Sequence, residues 1–123
     1  MKQFNKNDYK ICIVGLGYVG LPLAARFALK NFDLIGYDID KQRVTELQDN
    51  NDRNNDLSLK NLKKLNKNSL LTSNISNIKD CNIFIITVPT PINNDKTPDL
   101  NPIIASSKKI GKIINKGSIV IYE

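Results

Sequence analysis

The sequence predicts an α/β fold in which a doubly wound parallel sheet runs in the strand order 3-2-1-4-5. Three observations carry that expectation. Short runs of apolar, largely β-branched residues with no polar face stand at Tyr9–Val14 and Asn82–Val88, as in strands buried on both sides. Stretches with helical spacing separate such runs, and strands alternating with helices form parallel sheets wound by right-handed crossovers. The 123 residues suffice for one domain, whose core can bury roughly two thirds of the surface that the unfolded chain exposes.

The first strand, YKICIV at Tyr9–Val14, is bounded by polar residues before and glycine after. A helix over Leu21–Lys30 follows, with Pro22 in its first turn, where a missing N–H leaves no hydrogen bond unmade. Asp33–Tyr37 reads as the second strand, and Asp40 is placed to cap a second helix running to about Asp49. Asn50–Asp56 is polar and turn-prone. Leucines 59, 62 and 65 alternate with lysines 60, 63, 64 and 67 in a third, amphipathic helix, which leads to a brief strand at Leu70–Thr72. Asn82–Val88 is the central strand, and Pro89-Thr90-Pro91 stops it. Asn101 as N-cap, followed by Pro102, starts a further helix; Gly117 ends that region, and Ser118–Tyr122 is the fifth strand. No helix follows to cover its face, so the sheet is expected to be truncated after the fifth strand.

Composition excludes several classes of function. The net charge of +6 comes from scattered lysines whose densest cluster is a wet helix face without interleaved aromatic residues, so no nucleic-acid partner is expected. No apolar run approaches the ~20 residues that span a bilayer, and Met1–Asp8 lacks the apolar core of a signal peptide; no membrane partner is expected, and the location is cytoplasmic. Cys12 and Cys81 are far apart in sequence and the chain has no histidine, which argues against a disulfide framework or a metal site. Both read as small core residues. The many asparagines are taken as base composition of the gene.

The chemistry lies in Gly15-Leu16-Gly17-Tyr18-Val19-Gly20. Three glycines at this spacing arise by chance in roughly one chain in twenty-five of this length, so the pattern alone is weak. Its setting strengthens it, because it begins where the first strand ends and closes where the first helix begins, as in Rossmann-type dinucleotide sites. Gly15 permits the tight turn, Gly17 lets backbone approach a pyrophosphate, and Gly20 allows helix and strand to pack closely. The helix N-terminus then offers unpaired N–H groups and a partial positive charge to the phosphates. Asp38 stands at the tip of the second strand, where such folds place a carboxylate that accepts the ribose hydroxyls of the adenosine. It would repel a 2′-phosphate, so NAD is preferred to NADP, while the nearby Arg43 argues the other way. Thr90, between Pro89 and Pro91 past the central strand, lies where doubly wound folds bind ligands. A proline-punctuated loop without function remains the alternative for it.

GLGYVGLPLA, GYDID, ITVPTPIN, PDLNP and SIVIYE together resemble the UDP-glucose/GDP-mannose dehydrogenase family over essentially the whole chain, most of all its branch acting on UDP-N-acetylhexosamines. The resemblance implies oxidation of a sugar C6 alcohol to a carboxylate in two steps, each reducing one NAD, linked by a covalent cysteine intermediate. It carries over Gly15, Gly17, Tyr18, Val19 and Gly20 at the pyrophosphate, Asp38 at the ribose with Arg43 beside it, and Pro89 and Thr90 toward the nicotinamide. It places the nucleophilic cysteine and its partners outside this chain, so no catalytic residue is assigned here. Residues 1–123 are then expected to be an incomplete NAD-binding domain without the middle and C-terminal substrate domains, to turn over no nucleotide sugar alone, and to form a homodimer. The alternatives are an autonomous NAD-sensing module, or a piece of a UDP-glucose or GDP-mannose 6-dehydrogenase.

Overall fold

A computed structural model describes residues 3–123; Met1 and Lys2, part of the polar N-terminal stretch, lie outside them. Five strands, β1 (Lys10–Val14), β2 (Asp33–Tyr37), β3 (Leu70–Thr72), β4 (Ile83–Ile86) and β5 (Ile119–Tyr122), form one sheet in the expected order β3-β2-β1-β4-β5. Every pairing is parallel, with Cys12 beside Ile35 on one side and Phe84 on the other. Four helices connect them: α1 (Gly20–Leu29), α2 (Lys41–Gln48), α3 (Leu59–Asn68) and α4 (Asn101–Ile113). Short 3-10 turns at Lys6–Asp8 and Ile75–Ile78 were not expected from periodicity, being too short to show one.

Alternation along the strands divides the core. Ile11, Ile13, Leu34, Leu71 and Ile85 face α1, α2 and α3, meeting Leu21, Ala24, Val44, Leu47, Leu62 and Leu65. Cys12, Val14, Ile35, Tyr37, Phe84 and Ile86 face the other way, toward Ile78, Cys81 and Ile110 of α4. Cys12 and Cys81, distant in sequence, thus share one cluster with their thiols free. A hydrogen bond to Cys81, added to its burial, holds the Cys12 thiol well above the usual range, which disfavours the thiolate.

Local chemistry explains the boundaries. Asp40 caps α2 by accepting N–H bonds from Gln42 and Arg43, and Ser58 caps α3 through Asn61. On α3, Leu62 and Leu65 are buried while the four lysines stay exposed; each leucine stabilises by about 1.5–3 kcal/mol. The start of α4 differs by one residue from the expectation: Leu100 is the N-cap and makes no side-chain bond, while Asp99 Oδ1 accepts the N–H of Asn101. Asn31, Asn50 and Asn55 have φ of 62°, 61° and 53°, a left-handed conformation that asparagine tolerates, so part of the asparagine content serves turns. Among the described residues, no helix is long and apolar enough to cross a membrane.

Candidate cofactor site

The C-terminal ends of β1, β2 and β4 frame the site. Past Val14 the chain turns at Gly15, whose φ of +100° suits glycine and whose N–H donates to Tyr37 O at 2.8 Å. Thr87, buried at the end of β4, lies 2.7 Å from the Gly15 carbonyl and 3.1 Å from that of Val14; its one hydroxyl proton goes to the nearer. At Gly20 a Cβ would fall inside the Gly15 carbonyl and against Thr87 Oγ1. Helix and strand are therefore joined at a contact that admits no side chain. At Gly17, by contrast, a Cβ would meet nothing within 4 Å, because that stretch of backbone faces open space. Helix α1 begins at Gly20 without a side-chain cap; Leu21 and Leu23 donate to the Gly17 and Val19 carbonyls and Pro22 has no N–H, so the donors facing a ligand are the loop N–H groups just before the helix.

Asp38 ties the second strand to this loop. Its Oδ2 accepts the N–H of Leu16 and its Oδ1 that of Asp40, both at 2.9 Å. Each carboxylate oxygen keeps a further lone pair, enough for two hydroxyl donors. Arg43 reaches the same loop from beneath. Its Nε donates to Leu16 O at 2.9 Å and its Nη1 to Asp52 at 3.0 Å, with both side chains almost wholly buried. Nη2 is buried without a hydrogen-bond partner. Burial pushes the Asp52 carboxyl up, but the hydrogen bonds from Arg43 and from the N–H groups of Asn54 and Leu57 outweigh it and hold the carboxyl below its ordinary range.

These elements enclose a cleft of about 530 Å³ between the phosphate loop and α4. Of the residues singled out from sequence, Gly15, Gly17, Asp38, Arg43 and Pro89 line it. Gly20 is buried behind the loop, Tyr18 and Val19 are 73% and 52% exposed at its outer side, and Thr90 is exposed beyond Pro89 without lining the cleft. Among the lining residues that were not foreseen are Thr87, Arg53 and Asn54, together with Ser106 and Lys109 of α4. Thr87 had a signal, since a hydroxyl closing an otherwise apolar strand must find a partner. Arg53 and Asn54 sit in a polar loop that gives no such cue.

The profile of the NAD binding domain of the UDP-glucose/GDP-mannose dehydrogenase family matches residues 9–123. The chain belongs to this family. UDP-N-acetyl-D-glucosamine 6-dehydrogenase of Salmonella typhi is 46% identical over 121 residues, which are 98% of this chain and 28% of that protein. The enzyme of the same name from Pseudomonas aeruginosa is 46% identical over 94% of this chain and 27% of its own length. The solved structure of UDP-D-ManNAc dehydrogenase from Pyrococcus horikoshii agrees with a TM-score of 0.79 at 32% identity, covering 93% of this chain and 28% of that one. As an NAD-binding domain of the UDP-glucose/GDP-mannose dehydrogenase family, the chain takes NAD as its cofactor. The geometry fits that molecule: open backbone at Gly17, loop N–H groups at the entry to α1 for a pyrophosphate, and lone pairs on Asp38 for ribose hydroxyls.

Proposed function

We propose that this domain serves a dehydrogenase that oxidises the C6 alcohol of a UDP-N-acetylhexosamine to the carboxylate. The observation that carries the reading is Asp38, which holds the phosphate loop through the Leu16 N–H and lines the same cleft with two lone pairs open. NAD, which the phosphate loop and Asp38 would hold, would supply the hydride acceptor for the two oxidations at the sugar's C6, which together consume one water.

The chain's own residues hold and orient. The N–H groups of Gly17, Tyr18, Val19 and Gly20, at the entry to α1, donate to the pyrophosphate. Gly15 sets the turn that aims them. Asp38 accepts the ribose hydroxyls, and Arg43 keeps the loop in place through the Leu16 carbonyl. Pro89 and Thr90 stand toward the nicotinamide half, past the end of β4. Residues 1–123 act as the cofactor domain, and the sugar is bound against it by further domains. The N-acetylated sugar is favoured because 46% identity is reached with two UDP-N-acetyl-D-glucosamine 6-dehydrogenases. We also propose a cytoplasmic homodimer, a setting in which the buried free thiols stay reduced.

A panel of UDP-N-acetylglucosamine, UDP-N-acetylgalactosamine and UDP-glucose, assayed for NADH formation by the complete enzyme, tests the substrate class. We expect kcat/KM to favour an N-acetylated sugar by at least about tenfold. A preference for UDP-glucose would overturn the assignment.

A further inference from the structure

Sequence points to Arg43 as the cation beside the adenosine ribose, yet in the fold its charge turns inward. Nε and Nη1 are engaged by Leu16 O and Asp52, and the side chain is only 5% exposed. The second arginine lining the cleft is Arg53. It directly follows Asp52, whose carboxylate accepts the N–H groups of Asn54, Asp56 and Leu57 as well as the Arg43 guanidinium. Those bonds fix the turn from which Arg53 projects.

Arg53 lines the cleft together with Asp38, and its Nε donates to Glu46 Oε2 at 2.7 Å. Its side chain is 44% exposed, and a pair so open to water is easily exchanged for a better acceptor. The hydrogen bond to Glu46 raises the guanidinium above its ordinary range, and the charges of Glu46, Asp40 and Asp38 act in the same direction. A cation thus stands among three acids at the ribose end of the cleft. A planar guanidinium with a fork of donors matches phosphate oxygens, whereas the acids repel them.

We propose that Arg53 sets cofactor selectivity at the ribose 2′ position: it leaves Glu46 to donate to the adenosine 2′-oxygen, and through it the site accepts a 2′-phosphate that Asp38 alone would exclude. Glu46 is the competitor that keeps this tolerance low. The inference rests on reading this cleft as the NAD site.

Calorimetric titration of NAD and NADP into the wild-type chain and the variants Arg53→Gln, Glu46→Gln and Asp38→Ala tests it. The wild type should bind NADP measurably and more weakly than NAD. Arg53→Gln should weaken NADP by about tenfold and NAD by no more than about threefold. Glu46→Gln should tighten NADP by about threefold or more, having released the guanidinium. A purely structural surface pair would lower the melting temperature and leave the NADP-to-NAD ratio unchanged. That unchanged ratio in both variants, or no NADP binding by the wild type, overturns the inference, and the site reading survives it if Asp38→Ala still weakens NAD. If Asp38→Ala has no effect either, both fall.

Discussion

Asp52→Ala will cost about 3–5 kcal/mol of unfolding free energy, because it leaves the buried Arg43 guanidinium without its counter-charge. Arg43 and Asp52 are 5% and 3% exposed, so the guanidinium would be left in a site that bulk solvent hardly reaches. The same substitution removes the acceptor for three N–H groups of the turn that follows. Domains of this size are stable by roughly 5–15 kcal/mol, so the loss is a large fraction of the total. Urea unfolding of the two proteins measures it. The pH dependence has a definite sign. The folded carboxyl titrates below its unfolded value of about 3.9, so this stabilisation is fully present above that value and is lost as pH falls through the folded one. Asp52→Asn should therefore shallow the acid limb of a stability profile and leave the slope near neutral pH unchanged.

Gly20→Ala will abolish measurable NAD binding, a loss of more than about a hundredfold, and destabilise the fold by about 1–3 kcal/mol. The added methyl has nowhere to go. One neighbour is the Gly15 carbonyl, backbone held at the end of β1, and the other is Thr87 Oγ1, which is hydrogen-bonded to that carbonyl. Relief requires α1 to back away from the sheet, and the loop N–H groups at its entry move with it. Retention of wild-type affinity by this variant would mean that the phosphates are not held by the start of α1.

How much of this could be read in advance follows the reach of each interaction. The strands were legible because burial on both faces leaves Ile13 and Ile85 in runs without polar residues, and the order 3-2-1-4-5 followed from alternation with helices. The glycine loop was legible because strand, turn and helix are consecutive. Thr87 was missed as a support of that loop because its partner Gly15 lies 72 residues away, beyond any local pattern. Arg43 was read as a cofactor contact from its nearness to Asp38, and it does line the cleft; that it also pairs with Asp52 depends on a turn whose asparagines and aspartates look merely solvated. Arg53 stayed invisible for the same reason. Its place in the cleft is set by the turn that the Asp52 carboxylate folds around itself.

The central claim is that NAD is held between the open phosphate loop and Asp38, and titrating NAD into the wild-type chain and Asp38→Ala tests it most directly. Asp38 gives up charged hydrogen bonds to the ribose worth about 1.5–3 kcal/mol, so affinity should fall roughly ten- to a hundredfold. Equal affinity in the two proteins, with the variant still folded, would contradict the account.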